Sequence, residues 1–113
     1  MKNRLLEAHE ALKLTEFVHR LYGDSYPNDL FYSPDKIASL INSGQLFSSV
    51  AERDDGTILG HLATYFEHVD DLTADGISGM VDSEARGANI MSTLAGPMLN
   101  MYEQRKLAGS KYR

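Results

Sequence analysis

The stretch Met80-Val81-Asp82-Ser83-Glu84-Ala85-Arg86-Gly87-Ala88-Asn89-Ile90 reads as the end of a strand, a short turn and the start of a helix. The first N–H groups of a helix have no partner within the helix, and the helix dipole favours negative charge beside them. A strand that enters a helix through a Gly-containing turn is therefore a seat for a phosphate or another anion. Asp75 lies just upstream, before Gly76. A carboxylate there can take a proton, and an Asp before a Gly equally suits a turn. His61 sits among apolar strand residues and suits packing better than base chemistry. Tyr26 and Tyr65 either line a substrate groove or simply pack. His9, His19, His61 and His68 show no metal-ligand spacing, so no metal is expected.

These residues need a scaffold, and the order of apolar patterns supplies one. Arg4-Leu5-Leu6 is a brief first strand (β1) or a helix lead-in. From Glu7 to Tyr22 the apolar residues fall mostly on one helical face (α1), and Gly23 is a stop. Asp24–Asp29 has turn chemistry. Ser33-Pro34 starts a second helix (α2), with Ser as N-cap and Pro at the first helical position, and Gly44 closes it. Leu46–Glu52 (β2) and Ile58–Phe66 (β3) are strands joined by the Asp54-Asp55-Gly56-Thr57 hairpin turn. Alternation predicts Ile58, Gly60, Leu62, Thr64 and Phe66 on one face of β3, and Leu59, His61, Ala63 and Tyr65 on the other. Both faces are semi-apolar, as in a central strand covered on both sides. Glu67–Ala74 is an acidic loop. Asp75–Val81 (β4) is the next strand, and its two glycines suggest a bulge or a close approach. The last helix (α3) carries Ile90, Leu94, Met98, Met101 and Leu107. Pro97 should kink or split it near Gly96, and residues from Ala108 onward should fray.

The chain has 113 residues, which suffices for one domain over residues 1–113 with a modest core. Eleven basic against sixteen acidic residues give a net charge of −5, which argues against a nucleic-acid partner. No polybasic segment suits an anionic membrane, and no apolar run reaches membrane-spanning length. Cysteine is absent, so disulfides, thiolate catalysis and Cys-based zinc sites are excluded. The N-terminus lacks the apolar region of a signal peptide, and a cytoplasmic protein is expected.

The order β1-α1-α2-β2-β3-β4-α3 resembles the first two thirds of the GNAT N-acetyltransferase superfamily. Asp54-Asp55-Gly56-Thr57-Ile58-Leu59-Gly60-His61 is similar to its "dG.ivGh" hairpin, and Val81–Ile90 to its "VdPeyRGrGig" segment. The resemblance implies an α/β (α+β) fold with a mostly antiparallel sheet and helices on both faces. It implies acyl-CoA-dependent transfer of an acetyl group to an amine, on a small molecule or a protein. Carried over, Arg86, Gly87, Ala88, Asn89, Ile90 and Met91 hold the pyrophosphate of acetyl-CoA on backbone N–H groups. Met80 and Val81 pair with its pantetheine arm, and Asp75 is the general base. The family's Arg/Gln-x-x-Gly-x-Gly/Ala pattern meets Arg86, Asn89 and Met91 here, so side chains stand where the family has none. The resemblance further implies a domain lacking the family's C-terminal strands and helix. The edge Asp75–Val81 then invites a homodimer or a partner chain. The alternative is a catalytically inactive, truncated module that serves protein binding or dimerisation.

Overall fold

A single four-stranded antiparallel sheet in the order β1-β2-β3-β4 carries the molecule. It is known from a computed structural model that describes residues 2–68, 74, 76–83, 85 and 90–110. β1 spans Lys2–Leu5, so the chain opens with a strand. A 3-10 turn over Ala8–Glu10 leads into α1, Ala11–Tyr22. A second 3-10 turn, Asp29–Tyr32, precedes α2, Pro34–Asn42. β2 is Leu46–Glu52, β3 Ile58–Tyr65, β4 Gly76–Val81 and α3 Ile90–Ser110. The expected order of elements holds throughout.

Local chemistry sets the boundaries. The Ser33 hydroxyl accepts from the Lys36 N–H at 3.4 Å, and Pro34 occupies the first helical position. Past the end of α2, Gly44 adopts φ +81°, a conformation that strains residues with a Cβ. Gly56 at the hairpin tip has φ +87° for the same reason.

The sheet is covered on both faces. Leu14, Phe17 and Val18 of α1 and Ile37 of α2 pack with Leu46, Val50, Ala63 and Met80 on one side. Ile90, Leu94, Met98 and Met101 of α3 cover the other, against Ala51, Leu59 and Phe66. Among the described residues no helix is long and apolar enough to cross a membrane.

Two expectations about irregularity need correction. The bulge is not in β4, whose register with β3 runs unbroken from Gly76↔Tyr65 to Val81↔Gly60. It lies between β2 and β3: Ala51 pairs with Gly60 but Glu52 pairs with Ile58, leaving Leu59 as the extra residue. The alternation of β3 therefore flips at its start. Ile58 packs under α1 and Leu59 under α3, the reverse of the simple pattern. Second, of the kink or split expected at Pro97 the split does not occur: α3 is continuous over Ile90–Ser110 and includes Ala108–Ser110. Tertiary contacts on both sides of the proline explain this. The Ser49 hydroxyl donates to the Leu94 carbonyl at 2.8 Å, and Leu94 and Met98 are buried. Further along, the Arg105 guanidinium lies 3.7 Å from the Phe66 ring centroid.

An ionic clasp fastens the other end of the sheet. Arg4 on β1 donates to both oxygens of Glu10, at 2.7 and 2.5 Å, and to both of Glu52 on β2, at 3.0 and 3.2 Å. Glu10 also accepts the Glu7 N–H at 3.1 Å and so caps the turn before α1. The hydrogen bonds from Arg4 hold the Glu10 carboxyl at about 2, against an ordinary 4.5, and lower Glu52 as well. A carboxylate with a depressed folded pKa stabilises above its unfolded value and loses that contribution as pH falls through the folded one. Unfolding free energy should therefore fall as pH is lowered from 4.5 towards 2. Arg4→Met should cost about 2 kcal/mol at neutral pH and flatten that slope. Urea unfolding at a series of pH values measures both; an equally steep Arg4→Met profile contradicts the clasp.

Candidate functional site

Three consecutive residues of β3 fix the junction between β4 and α3. Arg20, in the last turn of α1, donates to the Ile58 carbonyl at 2.7 Å and to Asp82 Oδ2 at 2.9 Å. The Leu59 carbonyl accepts the Asp82 N–H at 2.8 Å, at the exit from β4. Gly60 lies directly under α3. A Cβ there would sit 3.0 Å from Ile90 Cγ2 and 3.2 Å from the Met80 carbonyl oxygen. The missing side chain thus lets the first turn of α3 rest on the sheet.

This seating brings several of the sequence-predicted residues together. Val81, at the end of β4, and Ile90, the first residue of α3, pack in one cluster with Ala85, Leu59 and Leu94. Met80 points the other way, into the core beneath α1. Met91 follows Ile90 in the first turn of α3. The Ala85 N–H donates to the Asp82 carbonyl at 2.9 Å, which turns the chain away from the strand. Asp75, Arg86, Gly87, Ala88 and Asn89 lie outside the described residues. The described part presents the end of a strand beside the first described turn of a helix, and the N-terminal end of a helix attracts anions. Among the described residues β4 is the last strand on its side of the sheet, so its outer backbone groups face away from β3.

On the opposite face of the same strand lies a cavity of about 330 Å³. Leu46, Ala63, Tyr65 and Ser78 form its floor on β2, β3 and β4, and Leu30, Phe31 and Leu40 form its roof. Asn28 completes the lining; its side chain accepts the Leu30 N–H at 3.1 Å. The Tyr26 hydroxyl and Ser78 Oγ are 2.5 Å apart and tie the loop between α1 and α2 to β4. Tyr65 therefore does line a groove, and Tyr26 braces it. Sequence reasoning missed Ser78, although the two-residue period places it on the same face of β4 as Met80.

His61 packs beside this region and is fully buried. Phe17 and Phe31 meet its ring edge-on, with centroids 5.9 and 5.3 Å away. Ser48 Oγ lies 3.3 Å from Nδ1, and Nε2 has no hydrogen-bond partner among the described residues. Loss of solvation lowers its pKa from 6.5 to about 4, so it is neutral at physiological pH. Elsewhere, ligand atoms of Glu7, His9 and Glu10 lie within 4.8 Å of one another, but Arg4 already occupies both oxygens of Glu10.

No protein-family model matches the sequence, and no curated protein matches it. Solved structures do match. A ribosomal-protein-alanine N-acetyltransferase from Brucella melitensis aligns with 94% of this chain and 75% of its own, at 21% identity and a TM-score of 0.61. AAC(6')-Iy, bound to the bisubstrate analogue CoA-S-monomethyl-acetylneamine, aligns with 93% of this chain and 73% of its own, at 15% identity and a TM-score of 0.67. A spermidine N-acetyltransferase from Vibrio cholerae aligns with 90% of this chain and 63% of its own, at 15% identity and a TM-score of 0.56. At these identities the likeness is one of fold.

The packing of His61 carries its own consequence. A histidine with a lowered folded pKa stabilises fully above its unfolded value of 6.5 and loses that contribution as pH falls through about 4. Phe17, Phe31 and Ser48 surround the ring and bring no charge to it. Unfolding free energy should therefore drop between pH 6.5 and 4, and His61→Leu should remove most of that drop. Guanidinium unfolding of both proteins across this window checks it; parallel profiles would show that another group is responsible.

Proposed function

Proceeding from a fold shared with the GNAT N-acetyltransferases, we propose that this chain is an acyl-CoA-dependent N-acyltransferase that moves an acetyl group from acetyl-CoA to an amine. The observation that carries the proposal is the convergence of the end of β4 and the start of α3, made possible by Gly60. The fit to a CoA-type donor rests on three features. The outer edge of β4 is available for backbone pairing, the helix start favours a pyrophosphate, and the cavity at Ser78 adjoins the same strand. Acetyl-CoA supplies the acyl group as a thioester. Backbone groups of Met80 and Val81 hold its arm, and N–H groups from Arg86, Gly87, Ala88, Asn89, Ile90 and Met91 bind the pyrophosphate. Asp75 takes the proton that the amine must lose for its nitrogen to bond to the acyl carbon as the carbon–sulfur bond breaks. The cavity between the α1–α2 loop and the sheet receives the acceptor.

Thermal unfolding with added acetyl-CoA tests the donor site. A ligand bound only by the native state must raise the midpoint, so a rise at micromolar to millimolar acetyl-CoA is expected and no rise at millimolar sinks the assignment. Asp75→Asn should lower kcat about 100-fold and leave the acetyl-CoA shift intact. An unchanged kcat removes Asp75 from the mechanism.

The position of β4 at the sheet edge supports a second element of the proposal. A second copy of the chain, or a partner chain, packs along this edge, leaves the backbone groups of Met80 and Val81 to the arm of acetyl-CoA, and supplies the other wall of the cleft. Light scattering after size exclusion should give twice the monomer mass. A stable monomer that binds acetyl-CoA without turning it over favours instead a non-catalytic module that retains the fold.

A further inference from the structure

The cavity at Ser78 has a composition that selects among amines. Its floor is the sheet and its roof the loop and α2, and among the described residues none that line it carries a formal charge at neutral pH. Ala63 and Ser78 face each other across β3 and β4, and these two small side chains leave the space open. At about 330 Å³ it has about twice the volume of a protein cavity that takes up benzene. Its polar groups are already engaged in part: Ser78 with Tyr26, and Asn28 with the Leu30 N–H. Phe31 closes the roof and also meets the buried, neutral His61.

We infer that this cavity takes the body of a primary amine that carries one ammonium group on a compact apolar frame, and that it rejects polyamines and aminoglycosides. The inference rests on the cavity being the acceptor site proposed above. An apolar frame gains by leaving water against Leu30, Phe31 and Leu40. A second ammonium entering the same space finds no carboxylate among the described lining residues and loses hydration against their apolar side chains. The half-buried Leu30 is the residue at which that preference can be reversed.

The test uses 2-phenylethylamine and spermidine as probes of the full chain, with NMR shifts of the Ala63 and Ser78 amides as the readout. 2-Phenylethylamine should shift both amides and bind at least tenfold more tightly than spermidine. Leu30→Asp should weaken 2-phenylethylamine at least tenfold and strengthen spermidine by a similar factor. Ala63→Leu, which fills the space, should abolish both shifts; a normal unfolding midpoint confirms that this variant is folded. Equal affinity for the two amines, no shift from either, or no change on Leu30→Asp overturns the inference. The acetyl-CoA midpoint shift is read separately on the same samples. If it is present while the amine preference fails, the acyltransferase proposal stands and the selectivity falls. If it is absent while the preference holds, the cavity is an amine site without a donor site beside it.

Discussion

The absence of a side chain at Gly60 is the constraint on which the rest depends. A Cβ at that position meets both a helix residue, Ile90, and a strand carbonyl, Met80, at distances so tight that a neighbour would have to shift by a few tenths of an ångström. Because it is missing, α3 descends onto β3, Leu94 reaches the Ser49 hydroxyl, and the helix stays continuous past Pro97. The neighbouring carbonyls of Ile58 and Leu59 are then occupied by Arg20 and the Asp82 N–H. One short piece of strand thus fixes a helix from each layer and the exit from β4. The bulge at Leu59 belongs to the same arrangement. It turns Leu59 towards α3 and Ile58 towards α1, so each helix layer receives an aliphatic side chain at this point.

β4 connects the two regions of chemical interest. Its Val81 packs with the start of α3, whereas its Ser78 faces the cavity under the α1–α2 loop. Side chains alternate along a strand, so six residues suffice to serve both faces while the outer backbone edge stays available. The Tyr26–Ser78 hydrogen bond ties the loop to this strand, and Phe31 anchors the same loop in the core. The cavity roof is therefore held at both the strand and the core, and its shape follows from rigid elements rather than from a free loop.

The element order was legible because it is written in local chemistry. Ser33-Pro34, Gly44 and Asp55-Gly56 each act within a few residues, and their geometry follows from their own side chains. The bulge was not, because it is a property of two strands in register; the adjacent aliphatics Ile58 and Leu59 are its only trace in the sequence. The continuity of α3 escaped for a similar reason. Pro97 breaks a helix in isolation, but Ser49 and Thr64 hold the helix from a sheet far away in sequence. The strand end and helix start of the candidate site were legible as a motif. The cavity was not, since Asn28, Leu40, Tyr65 and Ser78 meet only in the folded chain.

The charges of the molecule are distributed to match this division. Arg4, Glu10, Glu52 and Lys13 gather at one end of the sheet, where each has an opposite partner within 4 Å or a hydrogen bond. The opposite is true beneath the α1–α2 loop. There Phe17 and Phe31 strip His61 of solvent and keep it neutral, and Phe31 presents its other contacts to the cavity. The surroundings that disfavour an imidazolium on one side of Phe31 disfavour a second ammonium on the other, because both are charges asked to leave water with no counter-charge among the described residues around them. The neutrality of His61 and the selectivity inferred for the cavity are thus two consequences of one apolar wall.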